Sequence, residues 1–161
     1  MDSKFIEADE LGIRLEKMGN LTVWETSPAY RHQHAVDRIR TTIRPPAPDS
    51  AVCECVHVAD VYVQFPDGSL KRPDISIFCR VPTEQDEAIT LIPEAVIEVI
   101  SKDYEAKDLE LGPPFYLGHG VKDLVVFNPY TLEVFHFTEE GKQKLSSPAQ
   151  IEFACGCQCV V

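Results

Sequence analysis

The apolar stretch from Ala95 to Ile100 contains one charged residue, Glu98. Four of its five apolar residues are β-branched, which is the composition of a central strand covered on both faces. A buried, ionised carboxylate without a partner costs several kcal/mol, so a folded protein keeps one only with a cation, a network of donors or a raised pKa. The pattern therefore predicts that the chemistry of the chain is centred on this strand.

The segments before this strand predict a hairpin followed by a helix. Two short mixed segments, residues 12–17 and 21–26, surround Gly19-Asn20, which is a strong two-residue turn signal. Ser27-Pro28 can begin a helix, with the serine as cap and the proline at the first position. The apolar spacing that follows predicts a helix over residues 30 to about 43.

One histidine lies on the apolar stripe of this helix. Val36, Ile39 and Ile43 recur at helical spacing, and His32 lies four residues before Val36. We therefore expect His32 to face inward. Such a residue is either a hydrogen-bonded core histidine or a functional one, and the pattern alone leaves both interpretations open.

A second carboxylate begins another apolar strand. A loop at residues 44–50 precedes one long strand or two short ones over residues 51–65, and a further strand is predicted over residues 72–79. Alternation places Asp74 at the start of that strand, on the face opposite to Ile75.

The remaining pattern predicts one helix and several strands. Residues 82–90 form a surface loop or a short helix. A helix is predicted over residues 101 to about 116, and it must stop or kink at Gly112-Pro113-Pro114 because proline removes a hydrogen bond and clashes with the preceding turn. Further strands are predicted at residues 124–127, 131–137 and 151–161.

Length and charge limit the class of protein. A chain of 161 residues is enough for one domain, predicted over residues 1–161. No apolar run approaches the roughly 20 residues of a membrane span, and the acidic N-terminus lacks the features of a signal peptide, so we expect a cytoplasmic protein. The net charge of −11 argues against indiscriminate nucleic-acid binding. A local basic segment remains, formed by Arg31, Arg38, Arg40 and Arg44.

The six cysteines form two clusters and a singleton: Cys53-x-Cys55, Cys155-x-Cys157-x-Cys159, and Cys79. A C-x-C spacing on a strand would place both thiols on one face. The C-x₂₋₄-C pairs of structural zinc sites are absent from the sequence. We interpret the cysteines as reduced, small apolar residues, with metal and disulfide roles as the alternatives.

Two carboxylates on neighbouring strands suit a divalent metal ion. Mg²⁺ or Mn²⁺ needs oxygen ligands, and Asp74, Glu98 and a backbone carbonyl would leave positions for water and a phosphate. Pro73-Asp74, a gap of 24 residues, and then Glu98-Val99-Ile100 match the first parts of the PD-(D/E)XK nuclease motif.

Four longer runs give the sequence a specific resemblance. They are Trp24-Glu25-Thr26-Ser27-Pro28 through His32-Gln33-His34-Ala35-Val36, Arg72-Pro73-Asp74-Ile75-Ser76, residues 93–101, and residues 120–129. In their order and spacing the chain resembles the Uma-two family of restriction endonucleases. The resemblance implies an α+β, restriction-endonuclease-like fold, a mixed sheet flanked by helices. It also implies Asp74 and Glu98 as metal ligands with the Val99 carbonyl as a third, and it matches His32 to the family's histidine on the first helix.

The chain departs from the family at the motif lysine. Ile100 occupies the motif's third position, and Gly112 stands where members of the family tend to carry a lysine on the following helix. A nuclease uses this lysine to orient water and to stabilise charge on the phosphate. Lys107 or Lys102 could substitute from the helix, the alternative being that both are solvated. Asp108 matches the family's helix aspartate, or is an exposed helix residue.

Two function hypotheses follow. In the first, a metal-dependent nuclease acts on nucleic acid, with DNA as the expected substrate, through Asp74, Glu98, Lys107 and His32; a homodimer is plausible by analogy. In the second, the chain is a catalytically impaired relative that serves as a binding or regulatory module. A third and weaker idea is a thiol-metal protein built on the cysteine clusters.

Overall fold

The computed structural model describes residues 3–47 and 52–161. The described residues form the α-helices α1 (Ser3–Glu10), α2 (Tyr30–Arg40) and α3 (Gly112–Gly118), and a π-helical turn, Lys107–Leu111, runs directly into α3. The described strands are β1 (Ile13–Met18), β2 (Leu21–Thr26), β3 (Val56–Ala59), β4 (Val63–Gln64), β5 (Leu70–Lys71), β6 (Ile75–Phe78), β7 (Ala95–Val99), β8 (Asp123–Asn128), β9 (Glu133–Thr138), β10 (Gly141–Ser146), β11 (Gln150–Glu152) and β12 (Gln158–Val160).

The large sheet of the described residues has the strand order β10-β9-β8-β7-β6-β3. β7 and β8 run parallel, and the other adjacent strands of this sheet are antiparallel. β7 lies in its interior with every residue buried, as its apolar composition predicts. A smaller sheet has the order β2-β1-β5-β4, and β11 pairs with β12.

Apolar side chains cover both faces of the large sheet. On one face, Ile75 and Ile97 pack with Ile39 of α2 and with the C-terminal strands. On the other, Val96 and Leu124 pack with Tyr116 of α3. The predicted α+β fold with a mixed sheet flanked by helices is therefore confirmed. Burial on both faces also explains why β7 tolerates a charged residue only with dedicated partners.

The N-terminal predictions are largely confirmed. The hairpin forms between β1 and β2 with the expected turn. α2 ends at Arg40, three residues earlier than predicted, and it begins after Ala29 without a side-chain cap, so the cap assigned to Ser27 is wrong. The Ser27 hydroxyl instead donates to the Gly12 carbonyl and fastens the ends of the hairpin. α1 was not predicted from the sequence.

The hydrogen-bond pattern of the helix changes from π to α at Gly112. The π-helical turn ends where the Gly112 N–H donates to the Lys107 carbonyl, five residues back. Pro113 and Pro114 then lie in the first turn of α3, where a missing N–H breaks no helical bond. The helix therefore does not stop at Gly112: Leu111 and Gly112 keep helical backbone angles, the pattern changes there from π to α, and the prolines begin α3.

Other boundaries differ from the predictions. The C-terminal segment is not one strand: β11 and β12 pair around a turn at residues 153–157. β10 was missed because its exposed, polar side chains give no apolar alternation. Residues 82–90 form a loop without a helix. The predicted strands over residues 51–65 are β3 and β4, whereas residue 51 and part of the predicted loop at 44–50 lie outside the described residues.

Candidate active site

Asp74 and Glu98 lie side by side in the middle of the large sheet, Asp74 directly before β6 and Glu98 on β7. β6 and β7 are antiparallel with Ile75 opposite Ile97, so the next position along the ladder sets Asp74 opposite Glu98. The Asp74 main-chain N–H donates to Glu98 Oε2 at 3.1 Å. Their exposed fractions are 4% and 1%. The structure thus brings together, inside the protein, the two carboxylates that the sequence singles out.

Asp74 is surrounded by donors. Arg14 Nη1 donates to Oδ1 at 3.0 Å, and the Val99 N–H donates to Oδ2 at 2.8 Å. His32 Nε2 lies 3.1 Å from the same Oδ2. Burial alone would raise the pKa of Asp74, but the Arg14 guanidinium and the His32 hydrogen bond hold it well below its usual range. This carboxylate is ionised at neutral pH.

Glu98 has a contrasting environment. The Tyr116 hydroxyl donates to its Oε1 at 2.6 Å. Burial, reinforced by the neighbouring Asp74 carboxylate, raises the pKa of Glu98 to about 7 despite the opposing charge of Lys107. Burial and the Glu98 charge also raise the pKa of Tyr116 well above its usual value, which keeps its hydroxyl a donor.

A second set of buried charges adjoins this pair. Lys71 Nζ donates to Glu16 Oε2 at 2.6 Å, and Lys107 Nζ lies 3.5 Å from the same oxygen. Lys107 Nζ is also 3.7 Å from Asp108 Oδ1. Burial would raise the pKa of Glu16, but Lys71, Lys107 and Arg14 lower it to about 2. The positive charges of Lys107 and Lys71 also act on Glu98, where they oppose the rise of its pKa.

The structure places the remaining predicted residues as follows. His32 faces inward and contacts Asp74, as its helical stripe predicts. Lys107 is 7% exposed, so its alternative as a solvated helix lysine is wrong, whereas Lys102 is exposed. Asp108 is buried, so its alternative as an exposed helix residue is wrong too. Val99 reaches Asp74 through its main-chain N–H.

Three further members of the network were not predicted from the sequence. Arg14 and Glu16 alternate along β1, a pattern that resembles the solvent face of a hairpin, yet both are buried against the carboxylates. Tyr116 follows the prolines of α3 and is apolar in most of its surface.

The donor set fits a hard divalent cation. Asp74 accepts three of the hydrogen bonds described above, and Glu98 accepts two. Since a carboxylate has about four lone-pair positions, each of the two still has a position for a cation. Among the described residues, groups of three or more possible ligand side chains within 4.8 Å are formed by cysteines alone. The carboxylate site thus offers two acidic side chains, as sites for Mg²⁺ often do, with the Val99 carbonyl, water or phosphate to complete the set.

Comparison with known proteins identifies the family. The Uma2 family model, described as "Putative restriction endonuclease", matches residues 7–153. The chain therefore belongs to the Uma2 family. Its fold is similar to the crystal structure of a putative nuclease belonging to DUF820 from Anabaena variabilis ATCC 29413, with a TM-score of 0.64 and 21% sequence identity over 86% of this chain and 80% of that one. At this identity the likeness shows the fold.

Two further findings complete the comparison. No protein of curated function matches the sequence. Within the part of the chain that the structure describes, no helix combines the length and hydropathy of a membrane span.

Proposed function

We propose that the protein is a metal-dependent nuclease that hydrolyses phosphodiester bonds of nucleic acid. The observation that carries the proposal is the buried Asp74–Glu98 pair with the Lys107 ammonium near it. Asp74, Glu98 and the Val99 carbonyl would hold Mg²⁺ or Mn²⁺. When bound, such an ion would polarise a phosphoryl oxygen and lower the pKa of the water bound to it, which makes a hydroxide nucleophile more available at neutral pH.

The charge balance of the network supports a divalent cation. Among the described residues, the network contains the buried carboxylates Glu16, Asp74, Glu98 and Asp108 and the buried cations Arg14, Lys71 and Lys107. With every carboxylate ionised, the negative charges exceed the positive ones by one. A divalent ion would reverse the sign of this small excess, and the site would then favour an anionic phosphate.

The surrounding residues have distinct proposed roles. Lys107 stabilises the charge that develops on the phosphate, in place of the lysine that the family resemblance leads one to expect at Gly112. His32 and Arg14 hold the Asp74 carboxylate ionised and fix its orientation. The Tyr116 hydroxyl fixes the orientation of the Glu98 carboxyl group. Because both carboxylates are buried, substrate access requires that β1 or another covering segment move.

The finer features of the proposal rest on analogy with nucleases of this fold. DNA is the expected substrate, a homodimer would let two subunits cut two strands, and the expected location is the cytoplasm. A catalytically impaired binding module is the second candidate. Gly112 favours it, because the chain there lacks the ammonium that a family lysine would supply.

Calorimetric titration of Mn²⁺ into the metal-stripped protein tests the proposed site without a guess about substrate. We expect one binding event in the wild type and its loss in Asp74→Ala and in Glu98→Ala. Asp123→Ala is the matched control, since Asp123 is a buried carboxylate bonded to His136 and the Ala154 N–H, outside the network. Equal binding by all four proteins would contradict the assigned ligands.

A cleavage assay then separates the two candidate functions. Single- and double-stranded DNA and RNA are incubated with the wild type and Mn²⁺, with Glu98→Ala as the inactive control. Metal-dependent cleavage that Glu98→Ala abolishes supports the nuclease. Metal binding accompanied by retention of nucleic acid without cleavage would favour the binding module.

A further inference from the structure

The structure describes all six cysteines, and five of them form a cluster at the β3 edge of the large sheet, away from the carboxylate network. They are Cys53, Cys55, Cys79, Cys155 and Cys157. Cys53 and Cys79 form a disulfide, and so do Cys55 and Cys157. The interpretation of the cysteines as reduced apolar residues is therefore wrong for these four in the structure. Cys155 and Cys159 are free thiols.

The sulfur atoms of the two pairs are in contact. Cys53 Sγ lies 3.5 Å from Cys157 Sγ, so the disulfides are neighbours rather than separate cross-links. The sulfurs of Cys53, Cys55 and Cys157 lie within 4.8 Å of one another, and so do those of Cys53, Cys79 and Cys155. Cys53 belongs to both groups and is the centre of the cluster.

The backbone presents these thiols from turns and irregular segments rather than from strands. Cys53 and Cys55 precede β3, and Cys55 has a left-handed φ of 50°. Cys155 and Cys157 flank Gly156, whose φ of 91° forms the turn between β11 and β12. The expectation that C-x-C places both thiols on one face of a strand is therefore wrong for these pairs. Turns aim several side chains at one point, which is how structural metal sites are usually built.

We propose that the reduced form of this cluster binds one Zn²⁺ ion through Cys53, Cys55, Cys79 and Cys157. Zn²⁺ takes four thiolates in a tetrahedron with Zn–S distances of about 2.3 Å, which places the sulfurs about 3.8 Å apart. Cys53 Sγ and Cys157 Sγ are already close to that spacing, and Cys55 Sγ lies within 4.8 Å of both. Cys79 Sγ shares the other sulfur group with Cys53, so it is the ligand that has to turn toward Cys55 and Cys157 once its disulfide is reduced. Thiolate ligands select Zn²⁺ over the hard cations that suit the carboxylate pair.

The conversion balances with a dithiol as reductant. Each disulfide accepts two electrons and two protons from one dithiol, which becomes a disulfide, and releases two cysteine thiols. The four thiols then lose four protons as four Zn–S bonds form, and the product is a tetrathiolate with a charge of −2. The bound ion would join the segments before β3, after β6 and between β11 and β12, as the disulfides do.

The test uses the full chain in the background Asp74→Asn/Glu98→Gln, which removes the proposed Mg²⁺ ligands. The protein is reduced with excess dithiol, desalted without oxygen, and titrated with Zn²⁺ against a chromophoric chelator. We expect one equivalent per chain, and none in the oxidised protein. Failure of the reduced protein to bind an equivalent would overturn the proposal.

Variants identify the ligands. Cys53→Ser, Cys157→Ser and Cys79→Ser should each weaken Zn²⁺ binding at least a hundredfold. Cys159→Ser should leave it within threefold, and Cys159 is the matched control because it is buried but belongs to neither sulfur group. Retention of affinity in Cys53→Ser or Cys157→Ser, or its loss in Cys159→Ser, would overturn the assignment.

Co²⁺ provides a readout that needs no variant. Added to the reduced protein, it should give the thiolate-to-metal charge-transfer bands and the intense visible bands of a tetrahedral sulfur site, and Zn²⁺ should abolish them. Octahedral, weakly absorbing Co²⁺ would overturn the proposal even if a cysteine variant failed to fold.

Discussion

Asp74 and Glu98 are both carboxylic acids, but the protein shifts their pKa values in opposite directions. The Asp74 carboxylate has Arg14 and His32 beside it, and its pKa is held low. Glu98 has a tyrosine hydroxyl and a second carboxylate for neighbours, and its pKa is raised. Pairs of carboxylates with separated pKa values are typical of catalytic sites. The difference gives Glu98 a measurable signature.

Glu98→Gln should change how the stability of the metal-free protein depends on pH. The pKa of Glu98 is about 7 in the folded protein, against 4.5 ordinarily. Below about pH 4 the carboxyl is protonated in both states and costs nothing. As the pH rises through the window between these pKa values, the unfolded chain loses a proton that the folded chain retains, so the free energy of unfolding falls.

Glutamine has nearly the same shape as Glu98 and does not titrate, and its one carbonyl oxygen can accept one of the two hydrogen bonds that Glu98 Oε1 and Oε2 accept. Urea unfolding from pH 4 to pH 8 should therefore show the wild type losing stability relative to Glu98→Gln over this window. The contributions of Glu16 and Asp74 are shared by both proteins and cancel in the difference. Parallel profiles would contradict the raised pKa.

Lys107→Met should lower metal-dependent cleavage by about 10²- to 10³-fold, the usual effect of removing one group that stabilises transition-state charge. Lys102→Met is the control, because Lys102 is an exposed lysine five residues earlier. It should retain activity within about twofold. Mn²⁺ titration checks that Lys107→Met still binds the ion, and equal rates for both variants would refute the role of Lys107.

At the scale of elements, Gly112 lowers the stability of the junction between the π-helical turn and α3. A Cβ added at Gly112 would lie 3.5 Å from the Lys107 carbonyl oxygen and 3.7 Å from Leu124 Cδ2, which are ordinary contact distances. The backbone at Gly112 is helical. Glycine there costs conformational entropy without any geometric need for it.

Gly112→Ala should therefore raise the free energy of unfolding by about 0.5–1 kcal/mol. Gly120→Ala is the control of opposite sign, since Gly120 has a φ of +94° that alanine rarely adopts. The free energies of unfolding of the wild type, Gly112→Ala and Gly120→Ala are compared by urea denaturation. A loss of stability in Gly112→Ala would show that the junction needs glycine for packing.

The elements also show how far the sequence could predict the site. Glu98 interrupts an apolar run and His32 joins an apolar helical stripe, so local periodicity places them correctly on β7 and α2. Asp74 lies directly before β6, one residue outside the strand in which it was predicted. Arg14 could not be found this way, because it lies on a hairpin strand and reaches Asp74 across 60 residues of chain. Local patterns predict which face a side chain occupies, but not which distant element packs on that face.

The whole molecule carries a net charge of −11, yet its proposed substrate is a polyanion. Long-range repulsion should make binding slow and weak at low ionic strength unless basic residues surround the site. Arg31 is exposed at the start of α2, one residue before His32, with its guanidinium 4.9 Å from the Tyr130 ring. Because β8 runs parallel to β7, Tyr130 follows β8 at the end of the sheet where Glu98 lies, and we expect Arg31 to contact a phosphate there.

Arg31→Gln should weaken nucleic-acid binding by a similar factor for every sequence tested. It should also reduce the slope of log K against log salt by about one, because one fewer phosphate contact releases one fewer counterion. Arg80→Gln is the matched control: it removes the same charge from an exposed arginine that follows β6, at the end opposite to Asp74. Binding to catalytically inactive protein across a salt series separates the two effects, since a change of net charge alone would shift both variants equally. Identical slopes for the two variants would place the substrate elsewhere on the molecule.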